Sequence, residues 1–326
     1  MLVRIFRSTQ IYPIALIVLF SIVIHTVLGL LHPVSVPISG TNLFLGLSNG
    51  IFSLPSWVLK ITVFILLTSQ ALYLNYILNK HEIFFKQSWL PALFYLIFST
   101  QFPMLVQFTP LVVLNSIFII IIDKIFSLYK NQKTIGITFD TALLMSLVAL
   151  IYAPAIFMIL LFFIGIAILK PISWRDFSIG LIGLIVPLSI IITIYFLCDN
   201  LEGFILQYKS GIASEIRWDN YIQPSVFLSS IIIGIVFLIS LLKLRKYYLK
   251  NVTKSRLCQQ ILVIFFFIGV STIPFAVQKG LQNYIILLIP LSSIIAYFFL
   301  DGKKIIYQEL ILWILIGNWI YSNFVL

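Results

Sequence analysis

The sequence predicts an all-α fold, a polytopic transmembrane bundle of about eleven helices with the N-terminus inside and the C-terminus outside. Three observations predict it. Hydrophobic residues make up 61% of the chain and charged residues 10%, with a mean hydropathy of +1.12. A soluble domain carries about a quarter charged residues to cover its surface, so this chain cannot be one. The apolar runs recur at membrane-spanning length, and they are continuous rather than alternating, which suits helices and not barrel strands.

The elements follow in order. A run over ~11–31 lies behind Arg4 and Arg7 and has no small-residue cleavage pattern before His32-Pro33-Val34, so it reads as an uncleaved anchor. The second, ~56–79, carries Gln70 and Asn75, and the fourth carries Asn115; buried amides at such depth suit interhelical hydrogen bonds. Runs over ~89–105 and ~107–128 meet at Phe108-Thr109-Pro110, and runs over ~137–152 and ~154–169 meet at Ala153-Pro154. If either joint were one kinked helix, every later loop would change side. The remaining spans are ~178–197, ~225–243, ~259–275, ~283–300 and ~309–326. Gly180 and Gly183 in the first of these allow close packing, while Asp140 and Asp176 read as carboxylates at helix starts, favoured by the helix dipole. The whole chain, 1–326, reads as a single integral membrane domain with external loops 32–55 and 198–224 and a basic cytoplasmic loop 243–258.

Charge supports this order of crossings. Of the 21 Lys and Arg residues, Lys209, Arg217 and Lys279 fall on outer loops and Lys60 just inside the outer end of the second helix; all the others fall on inner loops. That bias is the positive-inside pattern. The formal charge of +11 is therefore an orientation signal with attraction to anionic lipid, and no nucleic-acid partner is expected. Cys198 and Cys258 lie on opposite sides in this topology and cannot pair. No metal motif and no cofactor motif is present, His25 and His32 being a pair only and His81 lying on the other side.

Candidate chemistry is confined to the outer face. The loop from His32 has no acidic or basic side chain and is apolar at Leu43, Phe44, Leu45 and Leu47; it reads as an interfacial turn or as one wall of a lipid groove. The loop from Cys198 holds Asp199, Glu202, Glu215 and Asp219, the candidate catalytic carboxylates, with Arg217 able to hold an anion bidentately. A solvated loop would be charged in the same way. Phe204, Ile205 and Tyr208 within it have the spacing of a short amphipathic helix. Lys279, on an outer turn, suits either a snorkelling ammonium or a phosphate contact, and Lys60 should lie a turn into the membrane from the same face. Lys60, Arg217 and Lys279 are thus the candidate substrate-binding residues.

The segments KQSWLPALFYLIFST from Lys86, LVVLNSIFIIIIDKIFSLYKNQK from Leu111, the stretch from Ile137 to Phe177 and QKGLQNYIILLIPLSSIIAYFF from Gln278 resemble, in their order, an uncharacterised family of bacterial inner-membrane proteins. The same middle and C-terminal stretches are similar in architecture to polyprenyl-phosphate-dependent membrane glycosyltransferases, in which a basic residue precedes an aromatic-aliphatic run ending in Pro, as Lys279, Tyr284 and Pro290 do here. The resemblance implies an inner-membrane location, an external site and a polyprenyl-phosphate-linked substrate in envelope assembly. One departure stands out: those enzymes are expected to use an Asp or Glu in the first external loop, and 32–55 has neither. Two function classes follow. One is an enzyme or pseudo-enzyme binding a lipid-linked sugar phosphate. The other is a scaffold subunit or transporter with an envelope protein partner; membrane lipids are partners in both.

Overall fold

A computed structural model of the chain describes residues 2–8, 10, 12–31, 55–131, 134–171, 173–212, 224–248, 251–275, 281–300 and 305–324. Every regular element among them is helical. In chain order they are α1 (Leu2–Phe6), α2 (Tyr12–Leu31), α3 (Ser56–Lys80), α4 (Leu90–Ser99), α5 (Pro110–Phe126), α6 (Thr134–Ile151), α7 (Ile159–Leu169), α8 (Trp174–Leu197), α9 (Leu201–Ser210), α10 (Pro224–Tyr247), α11 (Thr253–Thr272), α12 (Leu288–Leu300) and α13 (Ile305–Phe324). Short 3₁₀ segments interrupt them at Pro103–Val106, Ala153–Met158, Ile273–Phe275 and Leu281–Leu287. Among the described residues eight helical segments are long and apolar enough to cross a membrane. The chain is a multi-pass membrane protein.

Both doubtful joints are real breaks. Thr109 is extended (φ −132°, ψ 153°) with Pro110 opening α5, and Tyr152 is extended (φ −129°, ψ 98°) ahead of Pro154. The residue before Pro110 is pushed out of the helical region, and that proline is tolerated at a helix start; at the second break the extended residue lies two before the proline, and Ala153-Pro154 open the 3₁₀ segment. The side-chain contacts then sort the chain into two ends. Trp89 N–H donates to the Phe6 carbonyl, Lys80 and His81 meet Asp123, Lys170 meets Thr134 and Asp176, and Lys243 meets Phe298, all at one end, which we call the basic end. Gly29 with Lys60, Thr100 with Trp319, and Tyr152 with Asn283 lie at the opposite end.

Three of the eleven predicted spans, ~89–105, ~107–128 and ~154–169, are not among the eight long segments, and ~154–169 is a 3₁₀ segment followed by the eleven residues of α7. The run ~89–105 contains only ten helical residues, α4, or roughly 15 Å at 1.5 Å per residue, half the hydrocarbon thickness. Every residue of α4 is buried, so its broken end sits in protein rather than lipid. The chain continues as bends and a 3₁₀ turn whose backbone is satisfied by α13. Trp319 Nε1 and Asn323 Nδ2 donate to the Thr100 carbonyl at 2.8 and 3.1 Å, and Ser322 Oγ donates to the Gln101 carbonyl at 2.6 Å. Irregular backbone at membrane depth is tolerated only where protein supplies such partners.

The core is held by the devices that sequence analysis singles out, with two corrections. Gln70 Nε2 donates to the Val112 carbonyl at 2.7 Å, Tyr95 O–H donates to Gln70 Oε1 at 2.6 Å, and Asn115 Nδ2 donates to the Tyr95 hydroxyl at 2.6 Å. These tie α3, α4 and α5 together. Asn75, expected to do the same, is buried with neither amide atom bonded. The most extensive helix pairing is α6 with α8. There a Cβ on Gly183 would meet the Phe139 carbonyl and Ala142 Cβ, each at 2.8 Å, so only glycine permits this approach. Asp176 sits in the first turn of α8, where Ser173 Oγ accepts from its N–H, and pairs with Lys170 at 2.5 Å. Asp140 does not open a helix: α6 begins six residues earlier, at Thr134, and Asp140 instead pairs with Lys124 across to α5 at 2.9 Å.

Candidate functional site

Helices α2 and α3 run antiparallel and touch at intervals of one turn. Ser21 Oγ lies 2.7 Å from Thr68 Oγ1, the His25 ring meets Phe64 edge-to-face at 5.4 Å, and Lys60 Nζ donates to the Gly29 carbonyl at 2.8 Å. Residues four apart share a helix face, so each rung is set by the i, i+4 spacing 21–25–29 on one helix and 60–64–68 on the other. Gly29 ends the series with a carbonyl that Lys60 can reach.

Beside these rungs lies a cleft of about 540 Å³. That is within the roughly 300–1,000 Å³ usual for small-ligand sites. Its wall is completed by Pro103, Val106 and Gln107 from the 3₁₀ turn that follows the broken α4. Ile22, Leu30, Trp57 and Ile61 line it and are exposed, which gives the cleft an apolar mouth on the side of the bundle. Its polar content is small: the Lys60 ammonium, the His25 ring, Thr26 and the Gln107 amide.

Lys60 has three N–H donors, and the Gly29 carbonyl takes one. No carboxylate among the described residues pairs with it. A lysine at this depth is expensive unless its charge is met, and a carbonyl meets it only in part. His25 is held more tightly. Its Nδ1 lies 2.9 Å from the Ser21 carbonyl oxygen, which can only accept, so Nδ1 carries the proton. Nε2 is buried and has no hydrogen-bond partner among the described residues.

The candidate carboxylates lie elsewhere. Asp199 and Glu202 are exposed on the α8–α9 connection, and neither lines the cleft. Asp199 has φ 51°, and its neighbours close a Schellman turn: Asn200 N–H donates to the Tyr195 carbonyl and Asp199 N–H to the Phe196 carbonyl. Its position is thus explained by the helix stop alone, Asp being among the few residues that tolerate the left-handed region. Helix α9 is the short amphipathic helix that its spacing predicts: Phe204 is buried against Tyr195, and Tyr208 O–H donates to the Ala149 carbonyl at 3.2 Å. Glu215, Arg217, Asp219 and Lys279 lie outside the described residues, as does nearly all of the loop 32–55. Of the three candidate binding residues, Lys60 is therefore the one placed, and it lines the cleft.

No family model, curated protein or solved structure matches the chain. The site accordingly stands on its own geometry.

Two clusters escaped sequence reasoning. His25 was visible only as half of a pair with His32, although its i+4 relation to Gly29 places it on the helix face that Lys60 touches. At the basic end, Asp123 receives Lys80 Nζ at 3.0 Å and His81 Nε2 at 2.7 Å, with His81 itself buried. The short polar run Asn79-Lys80-His81 and the single Asp of α5 were its only signal. Among the described residues no three His, Cys, Asp or Glu side chains converge to hold a metal ion, and Cys198 and Cys258 are both free thiols.

Proposed function

We propose that this multi-pass protein binds a lipid-linked anionic substrate of the polyprenyl-phosphate type in the α2–α3 cleft, with Lys60 taking the anionic group and the hydrocarbon leaving through the apolar mouth. In this reading the protein lies in a bacterial inner membrane with its N-terminus inside, and the cleft opens near the outer face, where envelope assembly uses such lipids. Lys60 carries the proposal: an ammonium with donors to spare, held beside a cleft whose mouth is exposed and apolar. A soluble anion would have to cross that apolar rim, whereas an amphiphile in the bilayer reaches it laterally. The proposal is for binding. No carboxylate lines the cleft, so the groups a glycosyl transfer would need are not gathered around Lys60 among the described residues.

Lipid co-purifying with the protein after mild extraction tests this. A phosphate-bearing amphiphile on the wild type, lost on Lys60→Met, is the expected result. The same lipid retained by the variant, or a lipid-free protein, would overturn the proposal. A stoichiometric protein partner in place of a lipid would favour the scaffold class instead.

A further inference from the structure

The reading above accounts for Lys60 but leaves the second polar group of the cleft unused. We infer that His25 makes the cleft selective for a lipid ending in a phosphate monoester over one whose phosphate is a diester. The inference rests on the proposed binding of an anionic amphiphile, and it concerns which phosphate chemistry is held.

His25 and Gly29 lie about one turn apart on one face of α2, a rise of about 6 Å, and Lys60 is bonded at Gly29. A phosphate held by the two unused donors of Lys60 therefore lies within reach of the next turn down, where the imidazole lines the cleft. The Ser21 carbonyl fixes the proton on Nδ1, which makes Nε2 of the neutral ring an acceptor. An unpaired buried acceptor costs free energy that a ligand hydroxyl would relieve. A phosphate monoester loses its last proton with a pKa of about 6. That proton can lie between a phosphate oxygen and Nε2, leaving the charged oxygens to Lys60. A diester offers only acceptor oxygens, and two acceptors facing each other gain nothing. Phe64, which also lines the cleft, packs edge-to-face on the imidazole and restricts its rotation.

The test places the full chain in phosphatidylcholine nanodiscs doped with phosphatidic acid, with phosphatidylmethanol (a diester with no headgroup hydroxyl) or with a polyprenyl phosphate, and counts bound lipid by native mass spectrometry. The wild type should hold both monoesters at least tenfold more tightly than the diester, and the tighter of the two identifies the chain that the mouth prefers. His25→Phe keeps the ring against Phe64 but removes both nitrogens, and should bring monoester binding down to the diester level. If that variant does not fold, His25→Gln serves, and its preference should fall in the same direction. Lys60→Met should weaken all three lipids together. Equal affinity of the wild type for monoester and diester, or a monoester preference that survives loss of His25, would overturn the inference while leaving binding at Lys60 intact. Binding of all three lipids indifferent to Lys60 would instead remove the proposed function on which it rests.

Discussion

The two ends of the bundle treat charge in opposite ways. At the basic end several described cations meet an anion or a helix terminus. Lys80 and His81 share Asp123, Lys124 has Asp140, and Lys170 has the buried Asp176. Arg7 and Lys243 donate to the Phe299 and Phe298 carbonyls, capping the C-terminus of α12, where the helix dipole favours positive charge. At the other end, among the described residues, Lys60 meets a carbonyl and no carboxylate, and 3₁₀ turns break the backbone. The difference teaches that the same residue type closes ion pairs at one end and, in the function proposed, is left to a ligand at the other. What separates them is whether a partner was built in.

Substitutions can break that contrast, and the largest effect belongs to the basic end. Asp123→Ala strips the buried His81 and the Lys80 ammonium of their shared acceptor; it should cost about 2–3 kcal/mol, read as a lower melting temperature in detergent, with lipid retention at the cleft unchanged. A melting point equal to the wild type would mean that the basic end is not closed by its ion pairs. Next comes Gly183→Val, which drives a side chain into the Phe139 carbonyl and should cost on the order of 2 kcal/mol. It should also perturb cysteine-crosslinking distances between α6 and α8, since relief requires the helices to part.

Smaller effects sharpen the contrast. Asp199→Gly should leave stability within a few tenths of a kcal/mol, because glycine accepts the left-handed turn, while Asp199→Val should lose about 1 kcal/mol. A loss of lipid binding on Asp199→Gly would show that the carboxylate itself, and not the turn, matters. Lys60→Met should also change melting little, because the hydrogen bond lost is offset by removing an ammonium that is costly to bury. Yet it should weaken the anionic lipid at least tenfold, about 1.4 kcal/mol. Stability and binding thus separate by end.

Much of this was legible along the chain. Each of the eleven apolar runs corresponds to a helix or a helix with its 3₁₀ extension, because twenty apolar residues in lipid leave the backbone no alternative to internal hydrogen bonds. The basic residues foretold a common end, since their separation by crossings is a property of order alone. Gly183, Gln70 and Asn115 were readable as packing and bonding sites because a small residue or an amide inside an apolar run has few other uses.

What the chain could not announce was who meets whom across the bundle. The ten-residue α4 looked like part of a full span, because its missing half is supplied by side chains of α13 some two hundred residues away. Asp123 and His81 were ordinary polar residues until α3 and α5 came together, and Asp140 lost its role as a helix start to a pairing with α5. Lys60 was visible from its depth, but its bond to Gly29 and its place beside His25 depend on the register of α2 against α3. Composition and hydropathy act residue by residue and so determine the class, the crossings and their order. Hydrogen bonds and ion pairs need two partners at the right distance and angle, and only the packed helices decide that.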